Sequence, residues 1–410
     1  MAADTLFHRI TDYAHRADPY PLYAELREEG VVRQEDGSYL VGTYHEIEAL
    51  LHDPRISSDR RKRTVPDETA LAEQGLPPAF IGLDDPEHHR LRSLTMRSFG
   101  PPHTPDRISG MHDEITRIVK DLLGTFPGKE RLDVVDDFAY PLPVTVICRL
   151  LGVPIEDEPR FRAWSDDIVA GIDPTPGEDP EARPRAAVEA RKEMGLYLGE
   201  LAEKRRAHPS DDMLSAFVGD GSGGQLTPLE IMTTSVLLLI AGHETTVNLI
   251  TNGVLTLLRH PEELARLRSD PALMPRAVEE LLRYEPPVHM LPQRTPLADI
   301  EVAGVTVPKG APLILMLASG NRDPRRFRDP DRFDPAREDN QHLGFGSGIH
   351  SCFGAPLARL EAQIALHGLL QHLDAPRLLE DPPPYRRSPV LRGPRHLLIE
   401  DGRSGGRERR

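Results

Sequence analysis

The chain has 410 residues, of which 39% are hydrophobic and 28% are charged, so it can bury a sizeable core beneath a polar surface. Its formal net charge of −15 argues against nucleic acid as a main partner. With only two cysteines the chain cannot form a disulfide framework, which fits a reducing compartment. No stretch approaches about 18 consecutive apolar residues, and no signal-peptide pattern is present, so the sequence predicts a cytoplasmic chain without a membrane span.

The amino-terminal part predicts short elements followed by a long loop. A helix is predicted around Leu22–Glu29, and Val31–Thr43 alternates around Asp36-Gly37, which is a strong hairpin signal. Residues 53–80 are rich in charge and proline and predict an irregular loop. Loops of that length inside a domain are uncommon and often functional.

A helix predicted to begin after Asp85 carries two cationic side chains. Asp85 can cap this helix, and Pro86 can occupy its first turn. His88 and Arg92 are four residues apart, so they lie on one helical face and suit an anionic group. Taken alone, the motif is explained more readily by a solvated basic surface.

The following segment is predicted to be helical, with one break. From about Arg107 to Gly152 the pattern is that of amphipathic helix, and Cys148 lies there among aliphatic residues, which favours a packing role. Helices over 155–170 and Arg185–His208 flank a break rich in proline and acidic residues over Asp173–Pro184. This arrangement can act as a lid, but a plain solvent loop is equally consistent with it.

A long buried helix is predicted from the capping box that starts at Thr227 to about Arg259, roughly 30 residues. Its middle reads Ala241-Gly242-His243-Glu244-Thr245-Thr246, which places poor helix formers where a core helix would not favour them. Small residues leave room for a flat group. A threonine that bonds back to the carbonyl four residues earlier opens the helix for water and an acid. A kink made for packing is the alternative.

The helix predicted over Ala277–Glu285 precedes short strands. Glu280 and Arg283 are three residues apart and can pair, but such pairs are common on surfaces and the signal is weak alone. Ile300–Pro308 and Ala311–Leu317 predict strands, and a loop rich in proline and aspartate follows.

The segment Phe345–Gly354 contains Cys352 and three glycines, at 346, 348 and 354. Glycine adopts backbone angles closed to other residues and lets a bulky group approach the main chain. A helix is predicted to follow, with Pro356 in its first turn, and its dipole favours a thiolate at its start. A thiolate in such a loop suits an axial ligand of haem iron, whereas an inert buried cysteine is the alternative.

The pattern Phe-Gly-x-Gly-x-His-x-Cys-x-Gly over Phe345–Gly354 resembles the haem-binding signature of the cytochrome P450 family at every fixed position. Four further motifs resemble the family in the same order along the chain: the block around His88, the segment over 241–246, Glu-x-x-Arg at 280–283 and Asn-Arg-Asp-Pro at 321–324. Asp85 and His89 depart from the family pattern, but His88 and Arg92 match it, and Gly320 replaces the usual alanine before Asn321.

The resemblance implies a mainly α fold with small β-sheets, in which a long central helix crosses the haem. It implies one catalytic domain over residues 1–402, and residues 403–410 are expected to be a disordered basic tail.

The implied cofactor is heme b (iron protoporphyrin IX), with Cys352 as the ligand of the metal. The other implied haem contacts are His88, Arg92, Ala241, Arg294, Phe345, Gly346, His350 and Gly354. Glu244 and Thr245 are implied to be catalytic, as the acid and the alcohol that deliver protons to bound dioxygen, and Arg337 is implied to complete the Glu280–Arg283 pair.

The resemblance also implies an apolar substrate pocket. By family position, the implied lining residues are Leu83, Leu237, Ile240, Ala241, Val288, Met290 and Leu391. Such a lining predicts a lipophilic substrate: a steroid, a terpenoid or a macrolide-type polyketide. The chain is most similar in kind to soluble bacterial hydroxylases of secondary metabolism, and a monomer is expected.

The implied activity is that of a haem-thiolate monooxygenase, which inserts one oxygen atom of O2 into a C–H bond. One spare cysteine cannot ligate an iron–sulfur cluster, so electrons are expected from a separate ferredoxin and its NAD(P)H-dependent reductase. Basic residues near Arg97 and Arg359 are predicted to dock that acidic partner. The alternatives are a peroxide-driven or isomerising haem-thiolate protein, against which Glu244-Thr245 argues, and a non-catalytic haem-binding module, which no recognisable signalling or DNA-binding segment supports.

Overall fold

The computed structural model describes residues 5–62, 77–100, 103–170, 182–219 and 225–402. The predicted loop over 53–80 falls partly outside these ranges, the break over Asp173–Pro184 mostly outside them, and the tail over 403–410 wholly outside them. Within the described ranges, no helix combines the length and the hydropathy that a bilayer span requires.

The described chain is mainly helical, as predicted. The α-helices are, in chain order, α1 (Leu6–Thr11), α2 (Tyr20–Glu29), α3 (Tyr44–His52), α4 (Glu87–Phe99), α5 (Asp106–Ser109), α6 (His112–Leu123), α7 (Pro141–Leu151), α8 (Glu158–Ala170), α9 (Ala182–Ala207), α10 (Met213–Phe217), α11 (Pro228–Arg259), α12 (Pro261–Ser269), α13 (Met274–Tyr284), α14 (Leu317–Gly320) and α15 (Ala355–His372). The strands are β1 (Val31–Arg33), β2 (Tyr39–Val41), β3 (Ile56–Ser57), β4 (Leu132–Asp133), β5 (Leu291–Pro296), β6 (Ile300–Val302), β7 (Val305–Val307), β8 (Leu313–Leu315), β9 (Arg377–Leu378) and β10 (Leu398–Glu400).

The chain divides into two compact units. One comprises Met1–Ile56, Asp113–Leu142 and Thr245–Arg410, and the other comprises Ser57–His112 and Pro143–Glu244. The single catalytic domain expected over residues 1–402 stays a prediction.

The largest sheet has the strand order β1-β2-β8-β5-β3. β1 and β2 form the predicted antiparallel hairpin, with Gly37 at φ +83° in its turn. β2 then pairs in parallel with β8, and β8 pairs antiparallel with β5 so that Arg294 lies opposite Leu313. β4, β10 and β9 form a second sheet, and β6 and β7 form a hairpin.

The long helix α11 begins with the predicted capping box. The Glu230 N–H donates to the Thr227 hydroxyl at 3.3 Å, and the Thr227 N–H donates to the Glu230 carboxylate at 2.8 Å. The helix has 32 residues, which corresponds to about 48 Å at 1.5 Å per residue. It passes through residues 241–246 without interruption, so the local opening predicted there does not break the helix.

A buried carboxylate, Glu280 on α13, collects the predicted charge network. Its oxygens accept from Arg283 Nε and Nη2, both at 2.8 Å, and from Arg337 Nε at 3.2 and 3.1 Å. The Asp334 N–H and the Asn340 side-chain amide donate to it at 2.9 and 3.2 Å. Arg283 also donates to main-chain carbonyls, those of Asn321, Pro330 and Arg332. The network therefore holds the loop between α14 and the cysteine segment against α13.

Replacing Arg283 by Met is expected to lower the free energy of unfolding by about 3–5 kcal/mol, since it removes one of the two guanidinium partners of Glu280 from a site where the Arg283 and Glu280 side chains are fully buried. Denaturant unfolding measures this loss. The control is Lys192→Met, which removes a 50%-exposed side chain from a surface pair with Glu189 and should cost no more than about 1 kcal/mol. Equal losses in the two variants would contradict the stabilising role of the network.

A second buried carboxyl, Glu361 on α15, is held differently. It is 2% exposed, and its Oε2 has no hydrogen-bond partner among the described residues. Burial raises the pKa of Glu361 well above its usual range. The folded chain therefore holds a proton there that the unfolded chain releases above pH about 4.3.

It follows that this side chain makes the fold less stable as pH rises above about 4.3. Glu361→Gln keeps the shape and removes the titration, so the variant should be more stable than the parent at pH 8, and the difference should vanish near pH 4. Unfolding free energies across this range measure the effect. Glu338→Gln, at an 85%-exposed position, is the surface control for the substitution itself. A pH-independent difference for Glu361→Gln would rule the explanation out.

Candidate active site

The cysteine segment forms a tight loop before α15. The Cys352 N–H donates to the Phe345 carbonyl at 2.8 Å, and the Gly346 N–H donates to the Leu343 carbonyl at 2.8 Å. Gly346 and Gly348 have φ of +66° and +69°, which L side chains rarely adopt. The loop therefore depends on glycine at both positions, as the sequence predicted.

Around Cys352 the loop leaves open space. Cys352 is exposed, whereas the other cysteine, Cys148, is buried. A Cβ added at Gly346 or at Gly354 would meet nothing within 4 Å. Gly354 is also the residue before the 18-residue helix α15, whose amino terminus favours an anion. An exposed sulfur, bare glycines beside it and a helix start together fit a bulky metal-bearing group with a thiolate ligand.

The opposite side of this loop is closed. A Cβ at Gly348 would lie 2.1 Å from the Leu51 carbonyl oxygen at the end of α3. Ser347 also hydrogen-bonds to His52 Nε2 at 2.8 Å. The loop is thus anchored to α3 on one side and open on the other.

On α11, the segment over 241–246 combines burial with one exposed position. Ala241 is exposed, although His243 and Glu244 are only 1% and 3% exposed. Leu237 and Ile240 are partly exposed and, with Ala241, follow the i, i+3, i+4 spacing of one helical face. An apolar, partly exposed stripe in the middle of a buried helix indicates open space beside it, and Thr245 continues this stripe.

His88 and Arg92 lie one turn apart on α4, as predicted. His88 is 3% exposed, and its Nδ1 lies 3.2 Å from Asp85 Oδ1. Burial lowers the pKa of His88 despite the opposing effect of Asp85. The sequence predicts two cationic donors, but this shift favours a neutral imidazole at His88 that donates one N–H.

The predicted pocket residues fall into different surroundings. Leu83 is buried, at 6% exposed. Val288 and Leu391 face each other in an isolated antiparallel bridge, and both are partly exposed. Met290 is 1% exposed and packs in a cluster with Ile10 and Tyr23, which favours a packing role over the pocket role expected for it.

Three residues beside the cysteine loop were not assigned to the site from sequence. Glu279 of α13 accepts from Arg359 Nε and Nη2 at 2.6 and 2.9 Å, and it lies 3.1 Å from His342 Nε2. Arg359, expected to face a protein partner, is thus already paired, with 38% of its side chain exposed. The sequence offered one signal for this group, which is that Glu279 directly precedes Glu280. It could not reveal the partners of Glu279, because His342 and Arg359 lie 63 and 80 residues further along the chain.

Comparisons with known proteins agree with the geometry. A family model described as Cytochrome P450 matches residues 33–399. The chain is 41% identical over 406 residues to cytochrome P450 monooxygenase PikC of Streptomyces venezuelae, covering 95% of this chain and 93% of that protein. It is 38% identical to 6-deoxyerythronolide B hydroxylase of Saccharopolyspora erythraea, with 93% and 96% covered. The ligand-free crystal structure of Mycobacterium smegmatis CYP164A2 superposes with a TM-score of 0.87 at 41% identity, covering 96% of this chain and 99% of that one.

Two glycine substitutions separate backbone strain from close approach in the cysteine loop. Gly346→Ala should cost about 1–2 kcal/mol, because an L residue must adopt a left-handed backbone there. Gly348→Ala adds a clash with the Leu51 carbonyl and should cost more, displacing the loop. Unfolding free energies of the two variants give the comparison. A Gly348→Ala variant as stable as Gly346→Ala would show that the approach to α3 is unimportant.

Proposed function

The chain belongs to the cytochrome P450 family and is a monooxygenase of that family, and on this premise we propose how its own residues serve the reaction. The proposed reaction inserts one oxygen atom of O2 into a C–H bond of a lipophilic small molecule. The observation that carries the proposal is the exposed sulfur of Cys352 in a glycine loop at the start of α15. The family binds haem iron, and we assign its heme b form to this chain.

Haem, when bound, supplies the activation of dioxygen that C–H insertion requires. In our proposal the Cys352 thiolate holds the iron, favoured by the amino terminus of α15. Gly346 and Gly354 leave room for the ring, and Phe345, whose carbonyl accepts from the Cys352 N–H, is assigned as a further contact. The remaining haem contacts are assigned by the motifs to which they belong: His88, Arg92, Ala241, Arg294 and His350.

Glu244 and Thr245 are the proposed proton carriers. Glu244 is 3% exposed, so bulk water does not compete for its carboxyl oxygens. Thr245 follows it at the partly exposed stripe of α11, where its hydroxyl can pass a proton onward. A peroxide-driven enzyme needs no such relay, which is why dioxygen is the proposed oxidant.

The proposed substrate is a steroid, a terpenoid or a macrolide-type polyketide. The apolar stripe of Leu237, Ile240 and Ala241 supports a lipophilic ligand. Relatives point the same way by their names: 6-deoxyerythronolide B hydroxylase at 38% identity, and the vitamin D(3) 25-hydroxylase of Pseudonocardia autotrophica at 40%. Leu83, Val288 and Leu391 are proposed to complete the lining.

Electrons are proposed to come from a separate ferredoxin and its NAD(P)H-dependent reductase. The 410-residue chain has only two cysteines, and with Cys352 assigned to the iron it keeps no set of thiolates for a cluster. Cys148 is fully buried, and burial raises the pKa of its thiol, which suits packing rather than ligation. We further propose that the protein acts as a monomer in the bacterial cytoplasm; the sources of its relatives support the bacterial origin.

Replacing Cys352 by Ser should abolish the red-shifted carbonyl complex that forms after dithionite and carbon monoxide, because the hydroxyl is a poor substitute for a thiolate ligand. Absorption spectra of the purified proteins provide the measurement. Cys148→Ala is the matched control and should retain the complex. The proposal fails if the parent protein never forms it or if the Cys352→Ser variant keeps it.

The same preparation separates the oxidants. Turnover of a steroid and macrolide panel with ferredoxin, reductase and NADPH should exceed turnover with hydrogen peroxide alone. The reverse order would favour the peroxide-driven alternative, and a normal carbonyl complex without turnover of any compound under either condition would favour a haem-binding module.

A further inference from the structure

Glu279 lies between two side chains that both reach the cysteine loop. Its carboxylate accepts from Arg359 Nε at 2.6 Å and Nη2 at 2.9 Å, which is the bidentate geometry of a strong ion pair. On its other side His342 Nε2 lies 3.1 Å away. The Gly344 N–H donates to His342 Nδ1 at 3.0 Å, so we assign the ring proton to Nε2, which donates to Glu279.

Both partners of Glu279 contact the Phe345 ring. The Arg359 guanidinium carbon is 4.6 Å from the ring centroid, a cation–π distance. The His342 ring is 6.0 Å from it, centroid to centroid. Phe345 is in turn bonded through its carbonyl to the Cys352 N–H at 2.8 Å. Glu279 is therefore connected to the cysteine through two side chains and one aromatic ring.

The charges in this group are balanced. Burial acts to raise the pKa of Glu279, but hydrogen bonds from His342 and Arg359 outweigh it and bring this pKa down to about 2. Arg359 is close enough to Cys352 for the charge of the sulfur to help raise the pKa of Arg359, after the larger effect of Glu279. The positive charge of Arg359 on α15, beside the sulfur, is thus neutralised by the carboxylate of Glu279 on α13.

We propose that Glu279 is a positioning residue that clamps Phe345 through Arg359 and His342 and, by neutralising Arg359 beside Cys352, sets the reduction potential of the haem. This inference rests on the proposed function, since it requires that Cys352 hold the iron. It gives Arg359 a role in setting the reduction potential of the iron, in addition to the predicted role in docking a protein partner.

The charges predict opposite shifts for the two ion-pair partners. Glu279→Gln leaves Arg359 uncompensated, and a positive charge favours the ferrous over the ferric state, so the potential should become more positive. Arg359→Gln leaves Glu279 uncompensated, so the potential should become more negative. The double variant should return towards the parent value. Dye-mediated reductive titration of the haem-loaded proteins, followed by absorption, measures each midpoint.

Two variants serve as controls. Arg359→Lys keeps the charge but loses the bidentate geometry, and its potential should stay closer to the parent than that of Arg359→Gln. Glu25→Gln removes the carboxylate of the Arg9–Glu25 pair between α1 and α2 and should leave the potential unchanged. If Glu279→Gln does not load haem, the two Arg359 variants still test the charge effect.

Midpoints that shift in the same direction in both single variants indicate loss of packing alone and overturn the proposal, as do midpoints that do not move. A parent protein without the red-shifted carbonyl complex would instead count against the proposed function. A normal complex with unmoved midpoints would overturn only the role of Glu279.

Discussion

The hydrogen bond from the Cys352 N–H to the Phe345 carbonyl closes the loop on which the site is built. By itself one such bond contributes about 1 kcal/mol, which is too little to fix a loop that needs two left-handed glycines. The loop is therefore held from outside. The Leu51 carbonyl at the end of α3 fills the space beside Gly348, and Leu343 is anchored by the Asn321 side chain, whose oxygen accepts its N–H at 2.7 Å.

Two consecutive carboxylates of α13 provide the other contacts that hold this region, and each contacts a different part of the chain. Glu280 points to the loop that contains Asp334, Arg337 and Asn340, and Glu279 points to Arg359 and His342. Neighbouring helical residues lie about 100° apart, so one short helix can brace two successive parts of the chain. Because the supports from α13 are directional contacts to two buried or half-buried carboxylates, the loop can hold its shape while one of its faces stays open.

Three elements were predictable because the local sequence marks them. The capping box marks the start of α11, a first-turn proline marks the start of α15, and Asp36-Gly37 marks the hairpin of β1 and β2. The region over 107–152 was not predictable, since it contains α5, α6, β4, a short π-helix over Val135–Ala139 and α7 rather than continuous helix. β4 exists because Leu132 and Asp133 pair with β10 near the end of the chain, and local sequence does not encode a partner about 265 residues away. The surroundings of Met290 were not predictable for a related reason, because the sequence near it does not show that it packs with Ile10 and Tyr23 from the amino-terminal part of the chain. Cysteine, glycine and Glu-x-x-Arg patterns predicted the candidate site residues, whereas the partners of Glu279 depend on tertiary distance alone.

Glu279 and Glu361 show why residue type does not determine charge in this region. Both carboxyls belong to helices that flank the cysteine loop, and burial raises the pKa of each. Glu279 has a guanidinium and an imidazole within hydrogen-bond distance, which outweigh burial and keep it ionised. Burial raises the pKa of Glu361, and no cation among the described residues is recorded as opposing it, so the protonated form is favoured. The fold thus keeps a negative charge on Glu279, where it faces Arg359, and disfavours one on Glu361 of α15. The charge near Cys352 therefore depends on which carboxyl has a cationic partner, and not on the number of acidic residues nearby.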